Sequence, residues 1–295
     1  MATKANALPI SFRQILVATD LSAASVLSLP YVVAIARRFG STIFVGHVIP
    51  LMIYGAARPQ SMEVVTKEAR AAAREKLAEI VGRLRAQTVK ARTLLGEGDV
   101  GVVLSDWIHE HHLELIAMGT TGRSGVRKLV LGSVAEEMIR VAKCPVLTVG
   151  PEISNEAPAG LGIILYATDF SRDSAHAALY ARSLAERSAS RLIVVHVRGA
   201  GDGQESERAL RQRLTELVRR RADHPALSEV VVAGGKPADK ILQVANQHAA
   251  DLIVIGVRGV GAVPRLASHF GSTAHDIILR ARCPVLTVRA TESTA

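Results

Sequence analysis

Short apolar runs alternate with longer stretches of helical periodicity along almost the whole chain. Runs of a few apolar or β-branched residues are typical of buried strands, whereas apolar positions about three or four residues apart are typical of helices. In the first half of the chain this pattern predicts strands at residues 14–18, 42–49, 88–94, 114–118 and 146–149. It predicts helices at residues 23–39, 62–86, 99–112 and 133–141.

The second half shows the same alternation. Its predicted strands lie at residues 162–167, 191–197, 229–233, 252–255 and 285–288, and its predicted helices at 172–187, 204–222, 237–248 and 272–280. Alternating strands and helices indicate an α/β fold in which helices cover both faces of a parallel sheet. Pro30 falls inside the first predicted helix, where the second half has Leu179, and we expect it to kink that helix or to delay its start.

The two halves are copies of one domain. Residues 15–22 (ILVATDLS) recur at 164–171 (ILYATDFS), and the segment KCPVLTV at 143–149 recurs as RCPVLTV at 282–288. The order of the matching segments is kept, and the period is far too long for a solenoid of short repeats. The sequence therefore predicts a first domain at residues 10–150, a linker at 151–160 and a second domain at 161–290.

Composition narrows the class of protein. The 295 residues are 48% hydrophobic, which argues against disorder, and no apolar run approaches the roughly 20 residues of a membrane span. Residues 1–11 hold one lysine and no long apolar segment, so no signal peptide is expected. Cys144 and Cys283 occupy matching positions before a proline, which favours buried thiols in a reducing cytoplasm over a disulfide framework.

The formal net charge of +9 raises the question of a polyanionic partner. Aromatic residues amount to 3% of the chain, so surfaces on which bases could stack are scarce. The densest basic stretch, residues 208–221, has the spacing of a solvated helix face. Binding of nucleic acid is therefore a minority interpretation.

One glycine motif carries the strongest chemical signal. Gly119 and Gly122 follow a predicted strand, and after nine further residues Gly132 and Ser133 open a predicted helix. Glycines let backbone N–H groups approach a phosphate closely, and the helix N-terminus adds partial positive charge. The spacing matches neither of the two common phosphate-binding loops. If the first and fourth strands are neighbours, Asp20 at the end of the first strand lines the same crevice.

Taken together, the duplicated segments and this motif resemble the universal stress protein family in its tandem form. The resemblance implies two five-stranded parallel, doubly wound sheets of strand order 3-2-1-4-5, the adenine nucleotide alpha hydrolase-like architecture. It also implies that the two units pack as an intramolecular pseudo-dimer through their fifth strands. In this family the spacing G-x-x-G, nine residues, G-[ST] marks members that bind ATP.

The resemblance assigns a nucleotide site to the first repeat. The triphosphate would lie on the glycine loop, with Mg²⁺ as a possible companion, and the nucleoside would lie near the first two strands. The implied binding residues are Asp20, Val48, Gly119, Gly122, Arg123, Gly132 and Ser133. In the second repeat the equivalent residues are Asp169, Val197, Gly256, Gly259, Gly271 and Ser272.

The second repeat departs from the motif in its spacer, which holds eleven residues and includes Pro264. Two outcomes are open. The insertion bulges outward and leaves the site intact, or it pushes a side chain such as His269 or Phe270 into the phosphate position. Binding of ATP by the second repeat is therefore undecided.

Other candidate clusters have simpler interpretations. His109 and His112 have the spacing of metal ligands on a helix, but no third ligand is evident nearby, and no metal site is predicted. His47 and His196 fit core histidines bonded to the backbone better than pocket walls. A nucleophile elbow of the form G-x-S-x-G is absent, and no catalytic residue is predicted.

The sequence thus predicts a cytoplasmic, ATP-binding universal stress protein that acts as a nucleotide-responsive regulator. A homodimer of tandem chains and unidentified protein partners are expected, without a membrane. Two alternatives stay open: an interaction scaffold that works without nucleotide, and a slow ATPase. Enzymatic activity beyond weak ATP hydrolysis is not expected.

Overall fold

A computed structural model describes residues 10–50, 59–120, 131–150, 152–153, 160–199, 205–218, 227–259 and 271–290. The strands within them are β1 (Gln14–Ala18), β2 (Thr42–Ile49), β3 (Lys90–Glu97), β4 (Leu115–Gly119), β5 (Val146–Val149), β6 (Ile163–Thr168), β7 (Arg191–Arg198), β8 (Leu227–Gly234), β9 (Leu252–Gly256) and β10 (Val285–Val288). The α-helices are α1 (Leu29–Phe39), α2 (Pro59–Ala86), α3 (Val100–Glu110), α4 (Ser133–Val141), α5 (Arg172–Ser188), α6 (Glu207–Val218), α7 (Pro237–Gln247) and α8 (Ser272–Arg280).

The strands form one continuous sheet in the order β3-β2-β1-β4-β5-β10-β9-β6-β7-β8. Each half has the predicted order 3-2-1-4-5 with parallel neighbours, so the predicted fold class is confirmed. The two five-stranded units are not separate sheets, because β5 and β10 pair antiparallel and place Leu147 opposite Leu286. This pairing satisfies two apolar edge strands that would otherwise expose unpaired backbone groups.

The joint between β5 and β10 is symmetric. The Thr148 hydroxyl donates to the Val285 carbonyl at 3.2 Å, and the Thr287 hydroxyl donates to the Val146 carbonyl at 3.1 Å. Both threonines are almost completely buried. Reciprocal contacts of this kind are typical of a twofold interface, here within one chain.

Apolar side chains cover both faces of the sheet. In β1, Ile15 and Val17 face one helix layer and Leu16 faces the other, and all three are fully buried. Helices α1, α2, α5 and α6 form the first layer, and α3, α4, α7 and α8 form the second. Strands buried on both faces read as continuous apolar runs, which explains the pattern in the sequence. None of the helices in the described residues has the length and apolar character needed to cross a bilayer.

The first helix starts late, as Pro30 predicts. A 3-10 turn at Ser25–Ser28 precedes α1, and Pro30 lies in its first turn. In the second repeat α5 begins at Arg172, which corresponds to position 23 of the first repeat. Because Pro30 has no N–H group, it cannot donate to the carbonyl four residues earlier, so a regular α-helical turn is lost there.

Trp107 is packed against glycines on two neighbouring strands. A Cβ atom on Gly46 would lie 2.7 Å from the indole ring, and one on Gly96 would lie 2.9 Å from it. In the second repeat, Val244 corresponds to Trp107 and Val195 corresponds to Gly46. The two copies therefore fill this part of the helix layer differently, with a glycine and a tryptophan in the first repeat and two valines in the second.

We predict that Gly46→Val lowers the free energy of unfolding by about 1–3 kcal/mol, the usual cost of overpacking a core. The added side chain has no space between Trp107 and the Leu16 side chain, which would lie 2.9 Å from the new Cβ. Urea unfolding followed by circular dichroism measures the change. The double variant Gly46→Val with Trp107→Val reproduces the valines of the second repeat and should recover part of the loss. An unchanged free energy in the single variant would contradict this packing.

Both cysteines are free; Cys283 is buried as expected, and Cys144 is half-buried. Burial raises the pKa of Cys144 and that of Cys283 to about 12. Because the thiolate is the nucleophile, we predict that iodoacetamide at pH 8 alkylates both at least about 100-fold more slowly than it alkylates a free cysteine. Mass spectrometry of the native and the urea-unfolded protein measures the two rates. Rapid labelling of both thiols in the native protein would show that the thiols are not buried.

Candidate functional site

The carboxyl ends of the central strands of the first repeat enclose a cavity of about 380 Å³. Strands β1 and β4 are parallel neighbours, so the adjacency on which the sequence argument depended is present. The volume is within the range of small-molecule sites in proteins. The lining residues are Ala18, Thr19, Asp20, Ser25, Gly46, His47, Val48, Pro50, Val100, Leu104, Met118, Gly119, Thr120, Gly132, Ser133, Val134 and Ala135.

Five of the seven residues predicted for this site line the cavity together. They are Asp20, Val48, Gly119, Gly132 and Ser133. The other two, Gly122 and Arg123, lie outside the described residues. The structure thus brings together residues that are up to about 110 positions apart in the chain.

Asp20 is held by a tight turn at the end of β1. Its Oδ1 accepts hydrogen bonds from the Ser22 amide at 2.9 Å and from the Ser22 hydroxyl at 2.5 Å. Leu21 has a left-handed backbone with φ of 66°, and its amide donates to the Thr19 hydroxyl at 2.9 Å. A non-glycine residue in this conformation is strained and needs such support. Asp20 therefore both forms the turn and faces the cavity.

His47 is a core histidine that also lines the cavity. Its Nδ1 lies 2.8 Å from the Thr19 carbonyl, and the residue is 9% exposed. Because a carbonyl only accepts, the proton is assigned to Nδ1. His196 makes the same contact with the Thr168 carbonyl at 2.8 Å. The predicted backbone bond is present in both repeats, and in the first it coexists with a place in the cavity wall.

The N-terminus of α4 faces the cavity with a glycine cap. Gly132 precedes the helix and has no side chain to accept from the first-turn amides, which lack acceptors within any α-helix. The Gly132 amide itself donates to the Thr120 carbonyl at 2.8 Å. This terminus therefore offers backbone donors and partial positive charge to an anion.

The neighbouring helix α3 is already supplied with negative charge. Its N-cap residue Asp99 accepts from the Val102 amide at 3.0 Å. The carboxylate of Glu137 lies directly against Gly101 in the first turn of the same helix. Helix α4 carries Glu136 in its first turn, but no side chain accepts at its glycine cap, so its terminal amides are the ones open to an additional anion.

Thr120 is a buried hydroxyl that the sequence analysis missed. It is 1% exposed, lines the cavity and has no hydrogen-bond partner for its Oγ1 among the described residues. Its amide donates to the Val149 carbonyl at 3.0 Å, which fixes its backbone beside β5. Buried polar groups without partners are rare in proteins, and each calls for an explanation such as a ligand or water. Its position directly after Gly119 was the available signal in the sequence.

The opposite wall of the cavity is apolar. Val48, Leu104 and Met118 line it, and none is more than 6% exposed. Val100 adds a further apolar contact from the first turn of α3. The sequence analysis included Val48 and missed the two α3 residues, because helix α3 follows β3 and carries no glycine motif. The cavity thus has a polar end near α4 and an apolar wall near β2 and α3.

Two further polar side chains of the first repeat, Glu97 and His111, have local partners. The Glu97 carboxylate pairs with Arg70 at 2.8 Å, and the hydrogen bond from that guanidinium lowers the pKa of Glu97. The ring of His111 stacks on Phe44 with centroids 5.2 Å apart. Within the described parts of the chain, no group of three His, Cys, Asp or Glu side chains could hold a metal ion.

The equivalent residues of the second repeat also lie close to one another. A Cβ atom on Gly259 would lie 2.8 Å from the Asp169 carboxylate, and the Gly271 amide donates to the Val257 carbonyl at 3.1 Å. Ser272 begins α8, and Val197 is 9% exposed. The insertion predicted to decide this site, residues 260–270 with Pro264, His269 and Phe270, lies outside the described residues.

The fold and the crevice together define a duplicated, doubly wound α/β protein with a small-molecule cavity at a strand-order switch. A family model described as the universal stress protein family matches residues 11–150 and 161–289. The chain belongs to the universal stress protein family, as the resemblance predicted, and membership supports a role in the stress response.

Individual relatives agree with this assignment. A universal stress protein of Thermus aquaticus is 38% identical over 135 residues, which is 43% of this chain and 97% of the relative. One from Mycobacterium tuberculosis is 29% identical over 188 residues, which is 60% of this chain and 62% of the relative. Among solved structures, a universal stress protein from Archaeoglobus fulgidus is similar with a TM-score of 0.74 at 25% identity, covering 96% of this chain and 98% of that one.

We predict that Thr120→Val raises the free energy of unfolding of the ligand-free protein by about 1–3 kcal/mol, the cost of burying an unsatisfied hydroxyl. Thr148→Val is the matched control, because Thr148 is equally buried but its hydroxyl donates to a carbonyl. That control should lose about 0.5–1.5 kcal/mol. Urea unfolding measures both. Equal losses in the two variants would show that the Thr120 hydroxyl already has a partner in the free protein.

Proposed function

We propose that the first repeat binds ATP in the cavity between β1, β4 and α4, and that the chain is a nucleotide-responsive regulator in the stress response. The observation that carries this proposal is the glycine-capped N-terminus of α4, which lines the same cavity as Asp20 and Val48. A helix terminus with backbone donors at one end of a cavity matches a phosphate better than an apolar ligand.

The placement of ATP follows from the two ends of the cavity. The phosphates lie at Gly132 and Ser133, where backbone amides at the start of α4 can donate. The ribose lies near the Asp20 carboxylate, which accepts from sugar hydroxyls. The adenine ring lies against the apolar wall that includes Val48. Gly122 and Arg123 complete the phosphate end, and Mg²⁺ would accompany the phosphates and reduce their charge.

Regulation rather than rapid hydrolysis fits these residues. In this placement the Asp20 carboxylate faces the ribose and not the phosphates, and Glu97 is paired with Arg70, so neither is assigned to orient an attacking water as phosphoryl transfer requires. ATP that bridges β1, β4 and α4 favours one arrangement of the surface around the strand ends. Protein partners in the cytoplasm recognise that surface.

A homodimer of tandem chains would have to use a new surface. The fifth strands, β5 and β10, already pair with each other inside the chain. The outer strands of the ten-stranded sheet are β3 and β8. Further association therefore involves those edges or the helix layers.

We predict that Gly132→Asp weakens binding of Mg-ATP about tenfold or more. Aspartate is a good N-cap residue, so α4 should form, but its carboxylate meets the phosphates at the helix terminus. Isothermal titration calorimetry of the whole chain measures the dissociation constant.

Gly132→Asn is the matched control for this charge. Asparagine caps helices as well as aspartate does, and both side chains place a Cβ 3.3 Å from the Thr120 carbonyl. The asparagine variant should therefore bind ATP more tightly than the aspartate variant. Equal, undiminished binding in both variants would place the phosphates elsewhere, and no binding by the unmodified protein would exclude the proposed function.

A further inference from the structure

We infer that the second repeat is closed to nucleotide by an anion of its own, the carboxylate of Asp173, so that the chain binds one nucleotide and not two. The inference rests on the proposed function for the identity of the ligand. The number of sites, one per chain, is inferred from the geometry of the second repeat alone. The motif residues do not indicate this closure, because Gly256, Gly259, Gly271 and Ser272 are all present, and the eleven-residue spacer leaves the question undecided.

The Asp173 carboxylate accepts hydrogen bonds from both the backbone and the side chain of Arg258, a residue inside the glycine motif. Its Oδ2 accepts from the Arg258 amide at 3.1 Å and from the Arg258 Nε at 3.1 Å, and its Oδ1 accepts from Nη2 at 3.2 Å. A fourth bond comes from the Ala290 amide at 3.0 Å. The Asp173 side chain is 2% exposed and that of Arg258 is 27% exposed, so the carboxylate is buried and its partner lies at the edge of the protein interior.

Arg258 is therefore held at both of its backbone polar atoms. Its amide donates to the Asp173 carboxylate, and its carbonyl accepts from the Ser171 hydroxyl at 3.0 Å. Arg258 is the third residue of the segment that starts at Gly256 and ends at Gly259. An amide that a phosphate-binding loop would turn towards its ligand is here already bound to a carboxylate.

The two glycines of the segment are packed so closely against other atoms that a side chain at either position would collide with them. A Cβ on Gly256 would lie 2.5 Å from the Ser174 amide nitrogen in the first turn of α5. A Cβ on Gly259 would lie 2.8 Å from the Asp169 carboxylate. In the first repeat the equivalent carboxylate, that of Asp20, lines an open cavity. The Asp169 carboxylate thus lies directly against the backbone of Gly259.

The first repeat lacks both partners of this ion pair. Ala24 stands where the second repeat has Asp173, and Thr121 stands where it has Arg258. The helix differs as well, since Pro30 delays α1, whereas α5 begins early enough to present Asp173 from its first turn. Three substitutions in the duplicated sequence therefore account for one open and one closed copy.

Displacement of Asp173 by a phosphate is unfavourable on charge grounds. A phosphate that took the Arg258 amide would remove one of the four hydrogen bonds of a buried carboxylate and place a second anion next to it. Breaking a buried pair by removing one partner costs far more than breaking an exposed one. The closed copy therefore persists at nucleotide concentrations that fill the first repeat.

The number of sites tests the inference. Calorimetry with Mg-ATP should give one nucleotide per chain, and Gly271→Asp should leave that number and the dissociation constant unchanged. Gly132→Asp, the matched change in the first repeat, should weaken the same binding about tenfold or more. Two nucleotides per chain, or a loss caused by Gly271→Asp, would overturn the closure while leaving ATP binding established.

A second measurement does not depend on nucleotide. Hydrogen exchange of the free protein should show slow exchange in the peptide that covers residues 252–259. Asp173→Asn, which keeps the size but removes the charge, should accelerate that exchange about tenfold or more, because the loop then opens locally. Asp239→Asn is the control, since Asp239 pairs with Arg280 on the surface of the same repeat at 2.7 Å. Equal exchange in wild type and both variants would overturn the closure even if no ATP bound to the protein at all.

Discussion

The pairing of β1 with β4 is the constraint on which the rest of the first repeat depends. Leu16 lies opposite Ile116, and Val17 lies opposite Ala117, so the two strands end at the same level of the sheet. That register brings the Asp20 turn and the Gly119 segment to one edge, although about 100 residues separate them in the chain. The helices on the two faces then converge on the same edge, and α4 adds its N-terminus. Without this parallel pairing, the glycine motif would not lie beside the Asp20 turn and would form no crevice with it.

The duplication shows what the shared frame does and does not determine. Both copies have the turn after the first strand, with φ of 66° at Leu21 and 62° at Phe170. Both have the histidine bonded to the backbone of that turn and a glycine before the last helix. These features belong to the fold and are insufficient to define a ligand site. The difference between the copies comes from the polar groups near the glycine segment.

The sequence predicted the strands and helices because their apolar periodicity is strong, and it predicted that Asp20 and the glycine motif share a crevice. It missed Thr120, because an orphaned hydroxyl is a property of packing and has no pattern along the chain. It also missed the pairing of Asp173 with Arg258, which are 85 residues apart. An aspartate in the first turn of α5 looks like an ordinary favourable charge at a helix N-terminus, and only the fold places an arginine opposite it.

Satisfaction of buried polar groups thus separates the two repeats more clearly than the motif does. In the second repeat, the carboxylate of Asp173 receives four hydrogen bonds from within the chain. In the first repeat, the hydroxyl of Thr120 has no partner among the described residues, although it is buried. A group left unsatisfied in a cavity costs stability in the free protein and is compensated when a ligand supplies the partner. Beside the glycine segment, the same frame therefore yields one copy with a fully bonded carboxylate and one copy with a hydroxyl that is unpartnered within the described parts of the chain.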